Sequence, residues 1–77
     1  MNDDNEPKFV LRITHQVTDG EPQEYKRPKY WTGRMNERWP ELLSDKAKAH
    51  AFSGKRAAQE VLSGFGARGF IGELEPA

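Results

Sequence analysis

Cysteine is absent from this chain of 77 residues, so no disulfide or thiolate metal site can supplement its core, and no thiol nucleophile exists. Long apolar runs are absent as well. Nothing approaches the roughly 18 consecutive apolar residues of a membrane span, and the opening stretch Met1 to Pro7 has neither the basic nor the apolar region of a secretory signal. A cytoplasmic protein is the expectation. Net charge is missing too, since 12 basic and 12 acidic side chains cancel. With hydrophobic residues at only 35%, one small domain is expected, burying about 60% of the surface its unfolded chain exposes.

The neutral total hides a segregation. Asp3, Asp4, Glu6, Asp19, Glu21 and Glu24 dominate the first third, whereas Lys26, Arg27, Lys29, Arg34, Arg38, Lys46, Lys48, Lys55, Arg56 and Arg68 outnumber the acids of the middle. Such a basic middle is either an anion-binding face or a solvated one screened by acidic ends. Residues 1–7, acidic and ended by proline, read as a disordered arm ahead of a single domain over residues 8–75.

From Lys8 the pattern turns regular. Phe9, Leu11, Ile13, His15 and Val17 alternate with more polar residues, which predicts a strand with one apolar face. Asp19-Gly20 predicts a turn, and a second strand is expected between Gln23 and Thr32, with Pro28 at an edge or bulge and Gly33 closing it. Residues 35–40 read as a loop, because Trp39 precedes a proline. Ser44 is expected to cap a short helix from Asp45 to about Phe52, on the line Leu43, Ala47, Ala51. Ser53 is expected to cap a main helix in which Ala57, Ala58, Val61, Leu62 and Phe65 form the buried stripe, with Gly64 or Gly66 as its stop. A last strand over residues 68–75 carries Phe70, Gly72 and Leu74 on one side. The expected fold is therefore α+β: a three-stranded antiparallel sheet of order 2-1-3, with the short and main helices packed on one face, in ββαβ connectivity.

The strand Phe9 to Ile13, the Tyr30-Trp31 pair, Trp39, the run from Ala47-Lys48 through Phe52-Ser53 to Ala57, and the apolar last strand together resemble small bacteriophage and mobile-element proteins. The chain departs from that pattern in the long connection from Thr18 to Lys29 and in the glycine-rich segment from Gly64 to Gly69. What the resemblance implies is a ββαβ fold and a phage-type origin, hence a host bacterial cytoplasm. It assigns no catalytic or binding residue.

Chemistry-bearing constellations are sparse. Gly64-Phe65-Gly66-Ala67-Arg68-Gly69 matches a dinucleotide fingerprint in letters but follows a helix and opens a strand, the inverse of the context in which amides meet a pyrophosphate. His15 and His50 lack partners at metal-ligand spacing. Ser44, Ser53 and Ser63 fall at helix ends rather than on a strand-to-helix elbow. No enzyme, cofactor or small-molecule substrate is expected.

Binding is what remains. Lys26, Arg27, Lys29, Arg34 and Arg38 interleave with Tyr25, Tyr30 and Trp31, and Lys55 and Arg56 open the main helix. These ten residues are the candidate macromolecule-binding surface. A host or viral protein complex, inhibited or modulated through charge and exposed aromatics, is the leading partner. DNA or RNA, with phosphates on the bases and nucleobases stacked on the rings, is the alternative. Tyr30 and Trp31 point to opposite faces of a strand, so at least one of them is expected to belong to the core, and Trp39 is expected to close the core.

Overall fold

The computed structural model describes residues 7–77. The expected acidic arm, apart from Pro7, lies outside the described residues. Five strands and one α-helix follow in the order β1 (Lys8–Thr18), β2 (Glu21–Asn36), β3 (Trp39–Leu43), a single 3-10 turn (Lys46–Lys48), β4 (Phe52–Ser53), α1 (Lys55–Ala67) and β5 (Phe70–Pro76). No described helix is long and apolar enough to cross a membrane.

This architecture overturns the three-stranded, two-helix ββαβ sheet. The strands make one curled antiparallel half-barrel. β1 lies between β2 and β5, β3 extends the sheet beyond β2, and β4 pairs with Lys8 and Phe9. β2 pairs with β1 only from Glu21 to Tyr30 and then diverges, and β4 takes its place along the start of β1. A bulge causes the curl. Opposite Thr14, β2 spends the extra residues Tyr25 to Pro28, while on the other side β5 passes from Gly72 to Ile71 with no residue to match Thr14. Such mismatches bend a strand and increase its twist. Gly72 lies against this bend, and a Cβ there would collide with the Arg12 carbonyl and stand 2.9 Å from Ile13 Cδ1.

Two local readings fail for identifiable reasons. The pre-proline bias at Trp39 disfavours helix but is equally a bias toward extended backbone, and the expected loop is a hairpin: β2 runs on past Gly33 to Asn36, turns through Glu37 and Arg38, and returns as β3. The expected helix over residues 45–52 shrinks to the 3-10 turn, capped by Asp45, whose Oδ1 accepts from Ala47 N at 3.0 Å, rather than by Ser44. Two alanines at helical spacing do not offset nucleation of so short a helix. The backbone gains more by pairing: His50 N donates to the Trp31 carbonyl at 2.8 Å before β4 begins.

The main helix forms but with different ends. Gly54, not Ser53, occupies its N-cap, without a side-chain cap. Its amide donates instead to the Pro7 carbonyl at 3.0 Å. Gly64 and Gly66 lie inside the helix, and the stop comes at Gly69, whose φ of 93° suits glycine. Ala58 and Phe65 are buried, Val61 and Leu62 partly so, and Ala57 is exposed. They pack on Leu11, Ile13, Phe52 and Phe70, with Phe9, Trp31, Leu42 and Leu74 closing the sides. Trp31 stacks on Phe52 at 5.8 Å and meets Phe65 edge-on at 5.2 Å, so much of this small core is aromatic.

The opposite face of β1 carries buried Val10 and a charge network. Arg12 bridges Glu73 at 3.0 Å and Glu75 at 3.6 Å, and Lys46 reaches Glu75 at 2.7 Å from the 3-10 turn. Lys46 also donates to the Pro76 carbonyl at 2.9 Å, which ties the turn to the last strand.

Candidate functional site

The ten candidate residues do not form one surface. Tyr25, Lys26, Arg27 and Lys29 belong to the β2 bulge and surround a shallow hollow with Ser44. Arg34 faces another hollow with Lys48, Thr32 and Glu41. Arg38 is at the tip of the β2–β3 hairpin, and Lys55 and Arg56 open α1. The exposed Arg56 has Glu60 as its i,i+4 neighbour at 3.7 Å, a contact of little energetic consequence in water.

The three candidate rings are engaged within the fold. Tyr25 packs against the core, donates to Gln16 Oε1 at 3.0 Å and lies beneath Lys29 Nζ, 4.8 Å from the ring centre. Its burial raises the hydroxyl pKa above the ordinary tyrosine value. Tyr30, on the opposite face, donates to Glu75 at 3.3 Å. Trp31 is part of the aromatic core, and its Nε1 donates to the Arg34 carbonyl at 2.9 Å. Tyr25, packed on the core beneath Lys29, and Trp31, within the core, do not offer the free ring that single-strand binders use.

The exposed ring is Trp39, which the sequence reading assigned to the core. Trp39 is 54% exposed, and Met35, in the other strand of the hairpin, is 44% exposed. In the hairpin Asn36 pairs with Trp39 and Met35 with Pro40, so the two side chains leave the ribbon on opposite faces, and Arg68 links them by bordering the hollow of each. Trp39 rests edge-on against Phe70 at 5.8 Å, which fixes the indole without covering it. Arg68, at the end of α1, donates from Nη1 to the Arg38 carbonyl at 2.7 Å and holds the hairpin tip to the helix.

Two hollows adjoin here. One, of about 370 Å³, is lined by Arg38, Trp39 and Arg68, and the other, of about 310 Å³, by Trp31, Met35, Val61, Gly64, Phe65 and Arg68. Arg68 borders both. Together they form a largely apolar surface between hairpin and helix, edged by two guanidinium groups. Its chemistry is recognition: a fixed indole, a pliable thioether and two arginines can desolvate and anchor a complementary surface. The alternation of β2 past Gly33 and the tight Glu37-Arg38 connection were the signals for it in the sequence.

No family model, curated protein or solved structure matches the chain.

Proposed function

We propose that this protein acts by binding another protein through the surface formed by Trp39, Met35, Arg38 and Arg68. The observation that carries the reading is the exposure of Trp39, held in place against Phe70 while its outer face stays open. A large apolar ring fixed at the surface loses little conformational freedom on binding, and tryptophan and arginine are the side chains that most often anchor interfaces. The resemblance to bacteriophage proteins supports a host or viral protein as the partner, met in the cytoplasm. Nucleic-acid binding has weaker support, because the basic bulge from Lys26 to Lys29 has no free ring beside it.

Affinity capture from bacterial lysate tests the reading when wild type and W39A are compared side by side. The expected result is a stoichiometric protein recovered by wild type and by R27E but lost with W39A. Capture that W39A leaves unchanged overturns it.

A further inference from the structure

The outer edge of β2 is open from Glu21 to Lys29, since β3 joins only from Tyr30 onward and no other backbone hydrogen bond among the described residues reaches it. Counted outward from Tyr25, acids lie on one side of this edge and bases on the other. Glu24 mirrors Lys26, Gln23 mirrors Arg27, Pro22 mirrors Pro28, and Glu21 mirrors Lys29. We propose that this edge is a homodimer interface, in which two copies lay β2 antiparallel about a two-fold axis at Tyr25, with Glu24 facing the partner's Lys26 and Glu21 facing the partner's Lys29.

Three observations support a second copy as the occupant. The ion pairs among the described residues run through Arg12, Lys46, Glu73 and Glu75, and through Arg56 and Glu60, so among the described residues Glu21, Glu24 and Lys26 have no ion-pair partner, while Lys29 lies over the Tyr25 ring. Tyr25 packs against the core while Glu24 and Lys26 on either side of it are exposed, so the two charges share the outer face of the strand, as residues opposed across an antiparallel pair must. The backbone also fits. Thr18 and Glu21 close the two-residue turn and bond to each other, so alternation over Glu21 to Glu24, ahead of the bulge, turns the N–H and C=O of Glu24 outward.

The prolines set the limits of this pairing. Pro22 and Pro28 have no N–H, so they confine the new ladder to the Glu24 and Lys26 pairs at its centre and prevent the edge from nucleating a longer sheet. A two-fold pairing closes on itself and makes dimers rather than fibres. A foreign strand of one charge sign would satisfy half of the edge and be repelled by the other half. The short contact makes a weak dimer that salt disrupts.

Sedimentation velocity on the full chain tests this at low ionic strength and at about 1 M salt, where the Debye length falls to about 3 Å. Wild type is expected to dimerise at low salt and dissociate at high salt. E24K and K26E, both at exposed positions, are each expected to weaken self-association by about tenfold or more. Mixed in equal amounts, the two variants are expected to recover a dimer, because one copy then carries only bases at the centre of the edge and the other only acids. A thermal melt by circular dichroism establishes that each variant is folded. Wild type that stays monomeric at low salt, variants that associate as well as wild type, or a mixture that stays monomeric would each overturn the proposal.

Discussion

Arg68 and Arg38, two like-charged residues far apart in sequence, are joined by a hydrogen bond from the guanidinium of one to the backbone carbonyl of the other at 2.7 Å. The contact makes the hairpin tip and the helix end one surface. Because the acceptor is a main-chain oxygen, neither charge opposes it directly, and the Arg38 side chain stays available to a partner.

Arg68→Ala should loosen this surface. The expected cost is about 1 kcal/mol, the usual net value of a hydrogen bond at a partly solvated site. The hairpin tip should separate from Phe70, shifting tryptophan emission to the red as Trp39 gains solvent. Urea denaturation followed by fluorescence reads both effects, and unchanged emission would show that Arg68 does not hold the tip.

Gly72→Ala should be among the most damaging substitutions, at about 3 kcal/mol or more, because the added Cβ collides with the Arg12 carbonyl at the bend of the sheet and backbone cannot yield there as a side chain can. Gly64→Ala serves as the contrast. Its Cβ meets nothing within 4 Å and it lies inside α1, so the change should stabilise by about 0.5 to 1 kcal/mol. Denaturant midpoints of the two variants should move in opposite directions.

Acid should release the last strand from the 3-10 turn. Lys46, chiefly through its hydrogen bond, lowers the Glu75 pKa below the ordinary carboxylate value, against the opposing effect of burial, with Tyr30 and Arg12 adding smaller contributions in the same direction as Lys46. A carboxylate whose folded pKa is depressed contributes stability that is fully present above the unfolded value and is lost as pH falls through the folded one. Stability of wild type should therefore decline below about pH 4.5, and Glu75→Gln should be less stable at neutral pH with a shallower acid slope. Thermal melts across that range check the sign.

The parts of the fold that were legible in the sequence are those with local periodicity. The alternation of Phe9, Leu11 and Ile13, the Asp19-Gly20 turn, the stripe of Ala58, Val61, Leu62 and Phe65, and the strand through Phe70 and Leu74 all stand where pattern places them. Illegible were β3, which returns from β2 through a Glu37-Arg38 turn that carries no glycine, and β4, which is two residues long and exists because distant β1 offers it a partner, and with them the half-barrel itself. Pro40 conveyed only that helix is disfavoured, and a strand satisfies that rule as well as a loop does. The same long-range contacts decided the site. Opposite orientation of Tyr30 and Trp31 followed from the strand period, but nothing local foretold that Glu75 would engage Tyr30 or that Phe70 would support Trp39 from below and leave it open.

The central claim is that the Trp39 and Met35 surface meets another protein, and site-specific cross-linking tests it most directly. A photoreactive benzophenone amino acid is placed at Met35 in one variant and, as control, at exposed Ala57 on α1 in another, and both are irradiated in bacterial cells. A discrete protein adduct at Met35, absent at Ala57, is the result predicted. No adduct at Met35, or the same adduct at both positions, would contradict the account.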